Sequence, residues 1–157
     1  MSIPDIIALL PLVYLVIVAI PLVVIDIQQH RLPNKIVIPF LFLSLVSNIL
    51  SYGLAGEWIT LAASVGFPLA MFILGIVANY YNWIGVGDVK LLTAVMLMVG
   101  IYSPVLALWI PLISVACGVL LAVIQMLRKD YGRSVPLGPW ILVSTFAMSA
   151  LALVPAW

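Results

Sequence analysis

Charge is what this chain has least of. Lysine, arginine, aspartate and glutamate make up 7% of its 157 residues, whereas 66% are hydrophobic and the mean hydropathy is +1.35. Soluble domains carry about 25% charged residues, so the composition excludes a water-soluble globule and predicts a chain that crosses a membrane several times. The formal net charge of +1 leaves no electrostatic basis for binding nucleic acid. A single cysteine, Cys117, excludes an internal disulfide and a thiolate metal cluster. There is one histidine, His30, and no His-Glu-x-x-His zinc string. The opening Met1-Ser2-Ile3-Pro4-Asp5 lacks the basic stretch of a signal peptide, so the first apolar run is expected to stay as a span. No internal repeat points to an inverted-repeat transporter.

What the chain does have is long apolar runs. A helix needs about 20 apolar residues to cross a bilayer core. Runs over 6–25, 36 to 54, 59–78, from near Ile84 onward, 104–127 and 137–154 approach or meet that length. The expectation is an all-α fold, a polytopic membrane helix bundle with six transmembrane helices, in which residues 1–157 form one integral-membrane domain. Basic residues in short loops favour the cytoplasmic side. In this six-span reading Arg31, Lys35, Lys90, Arg128, Lys129 and Arg133 all fall on one side, while the opposite loops carry Glu57 and no Lys or Arg. That side is expected to be cytoplasmic, with both termini outside.

Two aspartates then stand out. Asp26 closes the first apolar run, and Asp88 lies within Gly85-Val86-Gly87-Asp88-Val89-Lys90, on the same side. A carboxylate beside hydrocarbon is expensive unless it is solvated, paired or protonated, which makes each a candidate functional residue. Gly85 and Gly87 permit close backbone approach and dihedrals that a side chain would penalise, leaving room for an extended peptide. Plainer roles exist: Asp26 as a helix-end charge partnered by Arg31 or Lys35, and Asp88 as a helix-start residue beside Lys90. Two nearby carboxyls share a proton because both cannot readily ionise. The ionised one draws a proton from an attacking water, and the protonated one serves the oxyanion or the leaving amine. No serine–base pair at helical spacing competes on that side. His30 lies four residues from Asp26 and reads as an interfacial residue, as do Tyr80, Tyr81 and Trp83.

These strings resemble the prepilin peptidase family, the membrane aspartic proteases also called type IV leader peptidases. Asp26 followed by Leu32-Pro33-Asn34 is similar to the family's first-aspartate string, and Gly85-x-Gly87-Asp88-x-Lys90-Leu91 matches its second. Pro136-Leu137-Gly138-Pro139-Trp140 is similar to its late Pro-Phe-Gly-Pro string, with Leu137 replacing the aromatic. The resemblance implies an endopeptidase that removes short basic leaders from pilin-like, pseudopilin-like or archaellin-like precursors at the cytoplasmic face of a prokaryotic inner membrane. It makes Asp26 and Asp88 the catalytic pair, with no metal or organic cofactor. Gly85, Gly87, Lys90, Pro136, Gly138 and Pro139 become substrate-binding or site-shaping residues, and lipids and the precursor the partners. The N-terminal methylation region of two-domain relatives is not expected here. Two other functions use the same features: a proton- or ion-coupled transport component, and a noncatalytic scaffold for pilus assembly.

Overall fold

The computed structural model describes residues 3–29, 32–81, 83–127 and 137–153. They form α1 (Ile3–Gln29), α2 (Asn34–Ala55), α3 (Trp58–Tyr80), α4 (Val86–Gly100), α5 (Pro104–Leu127) and α6 (Gly138–Leu153). The all-α expectation holds, but the number of spans does not. Four stretches are long and apolar enough to cross a membrane: Ile6–Gln28, Asn34–Ala55, Trp58–Tyr80 and Pro104–Leu121. α4 has 15 residues and α6 has 16. At 1.5 Å per residue they reach about 22 and 24 Å, short of a hydrocarbon core of about 30 Å. The expectation of six transmembrane helices is therefore corrected to six helices with four of membrane-spanning length. The placement of both termini outside rested on six crossings and falls with it.

α4 is short because its backbone is interrupted at both ends, and it is apolar because it is surrounded by protein. Gly85 is extended (φ −70°, ψ 142°) and caps the start, and Pro104 opens α5 soon after the end. Val89, Leu91 and every residue from Thr93 to Gly100 are buried, and α4 touches each of the other five helices. A helix's last carbonyls lack partners within the helix. Here α2 supplies them: the Tyr52 hydroxyl lies 3.1 Å from the Gly100 oxygen and 2.8 Å from the Ile101 oxygen, and Asn48 Nδ2 donates to the Leu97 oxygen at 2.5 Å. Those bonds let α4 end inside the bundle.

The bundle buries small polar side chains among its apolar core and turns large apolar ones outward. Ser44, Ser47, Asn48 and Ser51 recur at helical spacing along α2 and are all buried. Ile17, Ile20 and Ile59 are 70%, 75% and 89% exposed. Small polar residues between helices and large apolar ones outward suit a hydrocarbon solvent, where burying apolar surface gives no drive to association. Between α2 and α3 the chain turns back at Gly56. Its left-handed φ of 74° and its N–H bond to the Gly53 oxygen form a glycine cap.

Close packing of α3 on α4 gives a test of this arrangement. A Cβ on Gly75 would lie 2.5 Å from Val89 Cγ1 and 3.2 Å from Val89 Cβ. Gly75→Ala is expected to overpack that contact and cost about 1–3 kcal/mol. Gly66, on the same helix, meets nothing within 4 Å. Gly66→Ala is expected to be neutral or stabilising by up to about 1 kcal/mol through helix propensity. Thermal melts in one detergent check the contrast; equal melting temperatures would refute it.

Candidate active site

Four segments converge at one end of the bundle: the last turn of α1, the stretch leading into α2, and the starts of α4 and α6. α2 begins from Pro33 (φ −72°, ψ 120°), whose carbonyl accepts the Ile36 and Val37 N–H groups at 3.0 and 3.2 Å. Proline suits a helix start because the N–H it lacks would have no partner there. This lays Leu32 across the first turn of α4, where a Cβ on Gly87 would be 3.1 Å from Leu32 Cβ and 3.4 Å from its backbone nitrogen. The approach to α4 is pinned by Asn79, whose Nδ2 donates to the Ile84 oxygen at 2.8 Å. Around it Tyr80, Tyr81 and Trp83 are exposed and contact one another with ring centroids 5.5 and 5.6 Å apart, in keeping with an interfacial position.

Of the two reasons for glycine read from the sequence, only close approach applies at Gly85. Its backbone is ordinary extended chain, but a Cβ would lie 3.1 Å from Asp88 Oδ2. Asp88 is the third residue of α4, outside the four membrane-length helices, and takes a hydrogen bond from the Gly85 backbone. That is the returning half of a capping box, so the plain helix-start role is present. Burial foremost, and then the charge of Asp26, push the Asp88 carboxyl up to about 6, while the Gly85 bond pulls the other way.

Asp26 is 4% exposed, and its Oδ2 accepts the Gly138 N–H at 3.1 Å. That donor is at the first residue of α6, among the N–H groups that lack partners within a helix. Both aspartates line one cleft of about 390 Å³ with Gly85, Val86, Gly87 and Lys90 from the α4 side and Leu32 and Asn34 from the other. Lys90 Nζ donates to Asn34 Oδ1 at 3.1 Å, tying α4 to α2. A second cavity of about 50 Å³ opens behind Asp88, between α3, α4, α5 and α6, where Met71, Leu92, Val115 and Ile141 make its wall apolar. Asp88 is the residue common to both.

Of the residues expected at the site, Asp26, Gly85, Gly87, Asp88 and Lys90 line this cleft, Gly138 abuts Asp26, and Pro139 follows it in the first turn of α6. Pro136 lies outside the described residues, as do His30, Arg31, Arg128, Lys129 and Arg133. Leu32 and Asn34 were visible only as part of a string, without a role; the structure makes them cleft wall. Among the described residues, no three of His, Cys, Asp and Glu come together to hold a metal ion.

The titration of Asp88 carries a stability consequence. Its folded value of about 6 exceeds its ordinary 3.8, so the native chain binds more protons than the unfolded chain across that window. The contribution to stability is full below the lower value and is lost as pH rises through the upper one. The melting temperature is expected to fall from about pH 4 to about pH 6, levelling off by about pH 7, and Asp88→Asn, which stays neutral, to flatten that fall. Parallel profiles for the two proteins would refute this.

Fold and site together define a multi-pass helical membrane protein with a carboxylate-lined cleft at one end. A sequence model of the type IV leader peptidase family matches residues 13–127, and the chain belongs to that family. The matched stretch runs from within α1 to the end of α5 and stops before α6. No curated protein and no solved structure matches the chain.

Proposed function

We propose that the chain is a membrane aspartic endopeptidase that removes short basic leaders from pilin-like, pseudopilin-like or archaellin-like precursors, using Asp26 and Asp88 as an acid–base pair. The observation that carries this reading is the shared cleft. The two aspartates of the family strings reach one cavity from α1 and α4, and Asp88 is raised by burial and by Asp26, as expected of carboxyls that hold one proton between them. The ionised carboxylate takes a proton from water as the water oxygen bonds to the scissile carbonyl carbon. The protonated carboxyl gives its proton to the carbonyl oxygen. When the C–N bond breaks, the proton held by the first carboxyl passes to the leaving amine, and the second recovers its own from the collapsing diol. Water and two carboxyls suffice for this cycle.

Gly85 keeps side-chain bulk away from Asp88, so an extended peptide backbone reaches the carboxyl. The apolar cavity behind Asp88 offers a place for one apolar substrate side chain. The reading places the cleft at the cytoplasmic face of a prokaryotic inner membrane, supported by Lys35 and Lys90 at that end and by the basic connections before α2 and α6. Membranes containing the chain are expected to release the leader from a precursor-like peptide built of a basic leader, a glycine and an apolar helix. Peptides left intact across several such precursors would count against it.

A further inference from the structure

A peptide whose carbonyl reaches Asp88 from the cleft has the small cavity beside it, because Asp88 lines both. Met71 from α3, Leu92 from α4, Val115 from α5 and Ile141 from α6 form the cavity wall. That wall is hydrocarbon. Its one hydroxyl, on Ser114, donates to the Ile110 oxygen at 2.7 Å and lies 2.8 Å from the Ser144 hydroxyl. Among the described residues lining the cavity, only Asp88 can carry a charge. A charged leader side chain would lose its hydration there with only the reacting carboxyl in exchange, whereas an aliphatic one gains by leaving water. Volume is the tighter limit. The cavity's 50 Å³ or so is about a third of the roughly 150 Å³ that holds benzene in an apolar core. It has room for a few aliphatic carbons and none for a ring. Its walls are also firmly set. Val89 and Ile141 are buried, and α3 meets α4 so closely that a Cβ on Gly75 would lie 2.5 Å from Val89 Cγ1. Close-packed walls of this kind resist widening.

We propose that this cavity receives the side chain of the residue just after the scissile bond, admitting a small aliphatic one and excluding an aromatic ring, with Met71 and Leu92 setting the size limit. This rests on the peptidase reading above and names the substrate residue that the site selects. A precursor built of a basic leader, a glycine and an apolar helix, cut after the glycine, has one apolar side chain next to the bond. The glycine has none to place, and the first helix residue starts its own three bonds beyond the carbonyl carbon. Successive side chains of an extended peptide point to opposite sides, so this one enters the cavity while the next turns back to the cleft. Met71 and Leu92 act by bulk alone and take no part in proton transfer.

The test compares precursor-like peptides that differ only in the residue after the glycine: alanine, valine, phenylalanine or tryptophan. Ratios of kcat/KM between peptides within one preparation cancel the amount of active protein, so a variant that folds only in part still gives a reading. Wild type is expected to favour valine over alanine by about tenfold, the effect of added methyl groups in an apolar pocket. It is expected to favour valine over phenylalanine and tryptophan by at least about tenfold. Met71→Ala and Leu92→Ala widen the cavity from two different helices. Each is expected to raise the phenylalanine-to-valine ratio by at least about tenfold. Leu69→Ala, also on α3 but 55% exposed and away from the cavity, is expected to keep the wild-type ratio. A wild-type preference for phenylalanine over valine, or a ratio that neither widened variant moves, would overturn the pocket. Equal rates for all four peptides would do the same, and would leave the cavity to lipid. A wild-type protein that cuts none of the peptides overturns the peptidase reading itself, whereas cleavage without this order of size overturns the pocket alone.

Discussion

Cleavage of a precursor is expected to fall by about a hundredfold to ten-thousandfold in Asp26→Asn and in Asp88→Asn alike, the range for loss of a positioned proton carrier. The double variant is expected to lose little more than either single one, because the two groups act as a unit. The asparagine variants matter because each aspartate also has a structural role. Asn at 26 keeps a side-chain oxygen for the Gly138 N–H, so α6 stays capped while the proton carrier is lost. Asp26→Ala removes both and is expected to cost a further 0.5–2 kcal/mol or so of stability, as loss of a helix cap does. An Asn at 88 is neutral where burial disfavours charge, so that variant is expected to be at least as stable as wild type at neutral pH. Stable, inactive Asn variants therefore separate chemistry from capping. Cleavage near wild-type rate in either one sinks the acid–base pair. Ion flux that depends on the aspartates, with no peptide cut, would instead favour a transport component.

What the sequence revealed about this site follows from its shortage of charge. Asp26 and Asp88 are legible because a carboxylate at the edge of an apolar run needs a reason, and the glycines beside position 88 are legible as places of close approach, which the structure fills with Asp88 itself at Gly85 and with Leu32 at Gly87. The number of membrane-length helices was not legible. The letters from Ile84 to Tyr102 are equally apolar whether they face lipid or other helices, and hydropathy does not tell the two apart. α4 is a buried hub whose last carbonyls are satisfied by Asn48 and Tyr52, nearly fifty positions earlier in the chain. Such pairings leave no local pattern. The same holds for Lys90 on Asn34. Gly138 is the extreme case: its contribution is a backbone N–H, which every residue but proline has, so its identity signals only that nothing larger fits. The family match ends before it, and only the fold shows which carboxylate it meets.

That lack of space yields the second large effect. A Cβ added at Gly138 would lie 2.5 Å from Asp26 Oδ2, 2.9 Å from Cγ and 3.4 Å from Cβ. The least costly relief is for the Asp26 carboxyl to swing off the Gly138 N–H, since the alternative is to lift the start of α6 away from α1. Gly138→Ala is accordingly expected to fold and melt within about 1–2 kcal/mol of wild type, because the affected atoms are the end of one short side chain and one hydrogen bond. Its kcat is expected to fall by about a hundredfold, since displacement of a reacting group by about 1 Å has that effect. KM should change little, because the cleft walls from α2 and α4 are untouched. A contrasting position is Gly118, where among the described residues a Cβ would meet only Leu137, at 2.6 Å from Cδ2 and 4.0 Å from Cγ. That flexible tip can move aside, so Gly118→Ala is expected to keep kcat within a few-fold of wild type. Equal losses of kcat in the two variants would mean that α6 is merely sensitive to crowding, and would remove Gly138 from the placement of Asp26. A drop confined to Gly138→Ala, with KM held, would tie the rate to the contact between the first residue of α6 and the last turns of α1.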